Sequence, residues 1–263
     1  SLGHQRLSIL DLSKKARQPM VSDDGRYYIV YNGEVYNFQD LRAELKLCGY
    51  IFKSSSDTEV ILYSYAEWGV ESLQKFNGMF ALAIWDSKSE ELFLARDRFG
   101  KKPLYYHINQ RKELTFASEL TALIADNYIP QNISFEALNC YLSLGYIISP
   151  MTLYEDIFKL EPATYLLVSE KGKKIKKVRY WDYAETFRTK TNENESTITE
   201  HLKTLLEESV KQRMVSDVPV GAFLSGGVDS SSIVSLMKKN HNYDLHTFSV
   251  GFRQNSYNEM PDA

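Results

Sequence analysis

Six residues, Ser225-Gly226-Gly227-Val228-Asp229-Ser230, restrict the fold of this chain more than any other stretch. They follow a short apolar run, Val218 to Leu224, that reads as a buried strand. They precede Ser231 to Lys239, whose Ile233, Leu236 and Met237 recur at helical spacing. A further strand-like run covers Leu245 to Phe252. This order predicts a βαβ unit with the glycines where strand meets helix. Backbone N–H groups and the helix dipole make that junction an anion site, suited to phosphate or pyrophosphate. Gly226 and Gly227 permit backbone angles and a close approach that a Cβ would block. Ser225 and Ser230 add hydroxyls. Asp229 would repel phosphate unless a cation intervened, so it points to Mg²⁺. The plainer reading is a glycine turn capped by Ser and Asp. Against it, a chance match to S-G-G-x-D-S has a probability on the order of one in a million per starting position. No Gly-Lys-Ser follows, which excludes a Walker loop.

The rest of the chain is organised differently. Residues 184–197 are polar, almost without aliphatic side chains, and read as a linker between residues 1–183 and 198–263. Before the linker, Tyr27 to Tyr36, Met79 to Asp86, Glu91 to Ala95, Pro103 to Ile108 and Leu114 to Ala117 read as strands, the last two as a hairpin. Helices fall between them. Asn37 is placed to cap one that runs to Leu47, with Phe38, Leu41 and Leu45 inward. Ser56 and Glu59 form a capping-box pattern, as do Thr197 and Glu200 after the linker. Ser134 caps a helix with Phe135, Leu138, Tyr141 and Leu142 as its stripe. The helix from Thr197 carries Ile198, Leu202, Leu205, Leu206 and Val210. Such a mixture suggests α+β layers first and α/β afterwards. A net charge of −3 gives no electrostatic footprint for nucleic acid. No apolar run approaches a membrane span of ~20 residues. Two cysteines, Cys48 and Cys140, cannot build a disulfide framework and fit a reducing, cytoplasmic setting.

Four segments before the linker mix charge with glycine near strand ends: Gly3 to Ile9, Tyr31 to Asn37, Ser56 to Glu59, and Ala95 to Gly100. One Arg with two carboxylates suits an amino acid, because Arg grips a carboxylate bidentately and Asp or Glu accepts from an ammonium. An Asn side chain beside a Gly N–H suits an oxyanion hole. Taken singly, each segment has a plainer reading. Arg6 would be a surface ion-pair partner, Asn32-Gly33 a hairpin turn, and Asp57 the first-turn acid of its helix.

In this order, and with Gln18-Pro19-Met20, Gly78-Met79-Phe80-Ala81, Lys102 to Tyr106 and Ala117-Ser118-Glu119, these segments resemble the glutamine amidotransferase domain of the glutamine-hydrolysing asparagine synthetase family. The resemblance covers essentially residues 1–183. It implies a four-layer αββα sandwich of the N-terminal-nucleophile type. It further implies that Arg6 binds the glutamine carboxylate, that Glu34 and Asp57 bind its amino group, and that Asn32 and Gly33 form the oxyanion hole. In that family an N-terminal Cys is the nucleophile, and it precedes the Gly-His-x-Arg segment by several tens of residues. Ser1 is in the wrong place for the role. Ala163 departs from the family, which usually has Gly after this Pro.

Ser225 to Ser230 resembles the pyrophosphate loop of the ATP-pyrophosphatase family, a doubly wound α/β fold. That likeness implies ATP and Mg as cofactors. Leu224, Ser225, Gly226, Gly227, Asp229 and Ser230 would hold ATP and pyrophosphate, Asp229 through Mg²⁺, and Val250 and Gly251 would contact adenosine. The expectation is therefore a piece of a longer ligase, inactive by itself. The parent would use glutamine, aspartate and ATP, with a homodimer as its expected assembly and neither nucleic acid nor membrane as partner. The alternative is a related amidotransferase of cell-surface sugar or antibiotic biosynthesis, with a different acceptor.

Overall fold

The computed structural model describes residues 1–7, 9–240, 244–254 and 260. The chain divides into two compact units, Ser1–Leu7 with Ser13–Arg188, and Ser8–Leu12 with Thr189–Ala263.

The first unit runs β1 (Met20–Val21), β2 (Tyr27–Val35), α1 (Phe38–Leu47), α2 (Asp57–Trp68), α3 (Ser72–Lys75), β3 (Gly78–Asp86), β4 (Glu91–Arg96), β5 (Tyr105–Ile108), β6 (Leu114–Ala117), α4 (Leu120–Ile124), α5 (Phe135–Leu144), β7 (Ile157–Lys159), β8 (Thr164–Ser169), β9 (Lys174–Arg179) and α6 (Tyr183–Thr186). Six strands form one antiparallel sheet, ordered β1-β2-β3-β4-β8-β9, and three form another, β6-β5-β7. Strand alternation gives the large sheet two apolar faces. Val30, Ala81, Ala83, Leu94 and Leu166 from one face meet Tyr106 of the small sheet, with Leu104 and Leu160 next to its strands β5 and β7, in a buried cluster, and Leu2 packs against it. The other face carries the helices. Tyr65 of α2 stands edge-on to Tyr27 at 5.9 Å and stacks on Phe93 at 4.7 Å. Leu123 of α4 closes over Ile157 and Ile129, with Tyr105 and Ala117 alongside, on the outer face of the small sheet. The layers are therefore helix, sheet, sheet, helix, the expected αββα sandwich.

Several local expectations change. Asn37 does precede α1, but its amide does not cap the helix. It donates to Lys75 O at 2.9 Å and accepts from Asn77 N at 2.9 Å, tying α1 to the α3–β3 turn instead. Ser56 caps α2 through Thr58 N at 3.1 Å, yet Glu59 does not return to the Ser56 N–H. It binds the preceding loop. Ser134 caps α5 as expected, but Phe135, Tyr141 and Leu142 of its stripe are exposed and Ala137 is the buried residue. Ala163 sits at φ +53, which explains why a Gly suits this position.

The second unit contains α7 (Glu195–Arg213), β10 (Gly221–Phe223), α8 (Val228–Lys239) and β11 (His246–Phe248). β10 and β11 pair in parallel, with Gly221 opposite His246, so the βαβ unit is present. The polar stretch 184–197 is partly helical, holding most of α6 and the first residues of α7. α7 begins upstream of Thr197 because Asn194 accepts from both the Thr197 N–H, at 2.9 Å, and its hydroxyl, at 3.1 Å. Glu200 pairs with Lys203 instead of closing a capping box. Of the α7 stripe Val210 is buried, while Ile198, Leu202, Leu205 and Leu206 are exposed. On α8, Met237 is buried and Ile233 is not.

Candidate functional site

The first unit's candidate site follows from one edge of β2. Asn32 and Gly33 are not a hairpin turn; they lie inside the strand, opposite Ala81 and Phe80 of β3. Gly33 is required there by close approach. A Cβ would meet Met79 O at 2.2 Å and Phe80 Cα at 2.7 Å, and Gly33 holds φ +157. Gly78, across the ladder, is equally tight against Glu34 O at 2.2 Å.

In an antiparallel ladder, successive N–H groups point alternately toward and away from a neighbour. Tyr36 N donates toward the β3 side, to Asn77 O at 2.8 Å. Tyr31, Gly33 and Val35 consequently turn their N–H groups to the opposite edge. Two of these three are occupied. Gln18 brackets Tyr31, its Oε1 accepting from Tyr31 N at 2.6 Å and its Nε2 donating to Tyr31 O at 3.1 Å. Asp57 Oδ2 accepts from Val35 N at 3.2 Å. Between them, the Gly33 N–H meets no acceptor among the described residues. The Asn32 amide likewise makes no hydrogen bond among the described residues. By alternation, Asn32 and Glu34 project from the face that carries Val30, and Tyr31 from the helix face.

Asp57 is the first residue of α2 and is buried. Burial pushes its carboxyl above the ordinary range, against hydrogen bonds from Tyr31 Oη, Val35 N, Thr58 N and Ser56 that favour the carboxylate. Its oxygens are used unequally. Oδ2 takes Tyr31 Oη at 2.8 Å as well as Val35 N, while Oδ1 has a 3.4 Å contact from the Ser56 hydroxyl. The loop before Asp57 is held from two sides. Arg42 of α1 donates to Ser54 O at 2.7 Å and Ser56 O at 2.9 Å. The Glu59 carboxylate takes Lys53 N at 2.9 Å, Ser54 N at 2.7 Å and Ser54 Oγ at 2.6 Å.

Arg6 is half-buried in the irregular N-terminal segment. Burial, and then the Arg6 charge, lower the His4 pKa, against the Tyr31 backbone, which raises it. The fourth segment turns out to be scaffold. Arg96 donates to the carbonyls of Lys102, Leu160 and Gly100, at 2.7, 2.6 and 2.6 Å. Asp97 accepts from the N–H groups of Phe80, Phe99, Lys101 and Lys102. Arg98 caps Phe76 O and Gln74 O. Sequence reasoning missed Gln18 and Tyr31 as parts of the β2 edge, since neither carries a charge or a glycine to mark it. Cys48 follows α1 and is exposed, and Cys140 lies on α5 with its thiol 3.4 Å from Tyr146 O.

In the second unit, the loop after β10 is closed by hydroxyls. Ser225 Oγ and Ser230 Oγ lie 3.0 Å apart, Ser225 N donates to Ser230 Oγ at 3.3 Å, and Ser230 Oγ donates to Gly227 O at 3.1 Å. Gly226 holds φ +77 and Gly227 is the N-cap of α8. The helix starts at Val228, not Ser231, so Asp229 sits in its first turn, exposed. Leu224 N bonds Phe248 O at 2.9 Å and Ser249 Oγ bonds Leu224 O at 2.6 Å, which ties the loop to the end of β11. β11 stops at Phe248, so Val250 and Gly251 lie beyond the strand and not within it. Among the described residues no cluster of three or more metal-ligating side chains occurs.

An αββα sandwich with an Asn–Gly pair on a strand edge is joined in sequence to a βαβ unit with a hydroxyl-lined glycine loop. Residues 1–181 match the family model for the glutamine amidotransferase domain, and the chain belongs to that family. Residues 201–263 match the model for asparagine synthase. The putative asparagine synthetase (glutamine-hydrolyzing) 2 of Methanocaldococcus jannaschii is 41% identical over 277 residues, covering 99% of this chain and 52% of that protein. Asparagine synthetase (glutamine-hydrolyzing) 1 of Bacillus subtilis is 40% identical, covering 99% and 40%. A Gibberella zeae protein named amidase chry2 is 34% identical, covering 90% and 34%. The chain spans about half, or less, of the length of these relatives. Among the described residues no helix is long and apolar enough to cross a membrane.

Proposed function

We propose that the polypeptide carrying this sequence transfers ammonia from glutamine to an ATP-activated aspartate, giving asparagine, glutamate, AMP and pyrophosphate. The observation that carries this reading is the β2 edge, where the Gly33 N–H lies between two occupied positions and Asp57 marks the next one. Gly33 and Val35 are separated by about 7 Å along the strand, at ~3.4 Å per residue. The amide carbon and α-nitrogen of an extended glutamine are four bonds, about 5 Å, apart. An amide oxygen on the Gly33 N–H and the Asn32 amide therefore brings the ammonium within reach of Asp57 and Glu34. Arg6 then takes the carboxylate bidentately.

A thiolate attacks the amide carbon. The developing oxyanion is stabilised by Gly33 N–H and Asn32, preorganised on a strand that cannot relax away. Ammonia leaves, and water releases glutamate from the thioester. Neither Cys48 nor Cys140 belongs to this edge, so the reading takes its thiol from an N-terminal Cys of the whole polypeptide, with its α-amine as base. In the second unit, the aspartate side-chain carboxylate attacks the α-phosphorus of ATP. Pyrophosphate leaves toward the Ser225–Ser230 loop and the N-terminus of α8. Ammonia then displaces AMP from the acyl-adenylate.

The residues present fit Mg²⁺, which is commonly held by one or two carboxylates plus phosphates. Asp229 is an exposed carboxylate without a hydrogen-bond partner among the described residues. When bound, the ion neutralises the charge of the leaving pyrophosphate. Val250 and Gly251 are proposed to contact adenosine.

The test is an assay of the full polypeptide with amide-¹⁵N glutamine, aspartate and ATP. Label in asparagine, with AMP formed in equal amount, is the expected result. Ammonia and AMP production without labelled asparagine would remove aspartate as the acceptor.

A further inference from the structure

Asp57 is an unusual ligand group, because a buried carboxylate that already accepts two hydrogen bonds on one oxygen has little freedom left. The donors are the Tyr31 phenol at 2.8 Å and the Val35 N–H at 3.2 Å, both to Oδ2. Tyr31 is itself immobile. Its ring is buried, and both its backbone groups are bracketed by Gln18. The phenol thus fixes the carboxylate relative to the strand that carries Asn32, Gly33 and Glu34. Tyr31 and Val35 flank Gly33 at equal spacing, so Asp57 is referenced to the oxyanion donor from both sides.

We propose that Tyr31 is a positioning residue for Asp57: with Oδ2 occupied by the phenol and the Val35 N–H, Oδ1 is the oxygen presented to a ligand's α-ammonium. This rests on the reading of Asp57 as an ammonium acceptor. Tyr31 touches no substrate in this account; it sets the orientation of the group that does. Loss of the phenol hydroxyl leaves Oδ2 with one donor, frees the carboxylate to rotate, and lowers selectivity for substrates that carry an α-ammonium.

The test compares two substrates on the full polypeptide: L-glutamine and its des-amino analogue, 4-carbamoylbutanoate. Ammonia release is measured as kcat/KM for each, in wild type, Tyr31→Phe and Asp57→Asn. The ratio of the two values does not depend on how much of a variant is folded. Tyr31→Phe is expected to lower the glutamine-to-analogue ratio about ten-fold, the size of one hydrogen bond to a charged group. The loss should appear in the KM for glutamine, with kcat/KM for the analogue kept within about two-fold of wild type. An unchanged ratio, or equal losses for both substrates, in Tyr31→Phe while Asp57→Asn loses selectivity overturns the positioning role alone. An Asp57→Asn variant that discriminates as well as wild type overturns the ammonium-acceptor reading and this inference with it.

Discussion

Replacing Gly33 by Ala tests whether the β2 edge depends on a strand contact that admits no side chain. The added Cβ would stand 2.2 Å from Met79 O and 2.7 Å from Phe80 Cα. Both are backbone atoms of the paired strand, so no rotamer relieves the clash. Relief requires β2 and β3 to part by about 1 Å, since carbon contacts settle near 3.5–4.0 Å. Overpacking of this kind costs about 1–3 kcal/mol. Holding Ala at φ +157 adds roughly 1–3 kcal/mol. The sum is about 2–6 kcal/mol, or roughly 4–24 °C in melting temperature for a unit of this size. Tryptophan fluorescence isolates the transition, because Trp68, Trp85 and Trp181 all lie in the first unit. Gly25 supplies the control: it holds φ +70, but a Cβ there meets nothing within 4 Å. Gly25→Ala should cost about 1–2 kcal/mol, the backbone contribution alone. Gly78→Ala, facing Glu34 O at 2.2 Å without a positive φ, should carry the close-approach cost alone, about 1–3 kcal/mol. The two together should cost less than their sum, because strands already parted accommodate the second methyl. If Gly33→Ala melts with Gly25→Ala, the close approach is not what selects glycine, and the argument for a rigid oxyanion edge falls.

Three further outcomes are expected. Arg26 holds the Asp86 carboxyl well below the usual carboxylate range, through Nη2–Oδ2 and Nε–Oδ1 bonds of 2.7 and 2.9 Å. A depressed pKa gives stability that is complete above the unfolded value of ~3.9 and is lost as pH falls through the folded value. The melting temperatures of wild type and Asp86→Asn should therefore differ at pH 7 and converge as the pH drops below about 4; a constant gap refutes this. Arg42→Met removes the donors to Ser54 O and Ser56 O, so amide exchange across residues 53–58 should accelerate at least ten-fold while that of β3 stays unchanged. Asp229→Asn should leave the melting temperature within about 1 °C, as for other exposed substitutions, yet lower AMP formation by two orders of magnitude at fixed Mg²⁺; full activity would remove Asp229 from the metal.

Five strands of the sandwich were legible because alternation and β-branched or aromatic content mark them, whereas β1, β7, β8 and β9 were not read as strands. β2, β3, β4, β5 and β6 fall within one or two residues of the expected spans. The capping pattern was less legible. Asn37 and Glu59 sit where a local hydrogen bond is available, but each finds stronger partners elsewhere, Lys75 and Asn77 for one and the Lys53–Ser54 backbone for the other. A short polar side chain advertises its local option only. Amphipathic spacing in α5 and α7 likewise named an apolar face correctly but not whether the described residues cover it.

The same limit explains why the candidate segments separated as they did. Ala95 to Gly100 and Tyr31 to Asn37 look alike in sequence, since both join charge to glycine at a strand. The difference lies in which backbone groups their neighbours leave unpaired. After β4 the chain turns sharply, and its carbonyls and N–H groups are too many for the ladder, so Arg96, Asp97 and Arg98 are consumed in pairing them. Along β2 the shortage runs the other way. β1 is two residues long and ends before Gly33, so the edge beyond it carries donors with no strand to accept them. Gln18 and Asp57 occupy two of those donors, and the one left at Gly33 is fixed in place by the contact that forbids a Cβ. On the proposed reading, a binding site arises here because a strand partner stops short, which is a property of pairing and not of any single motif.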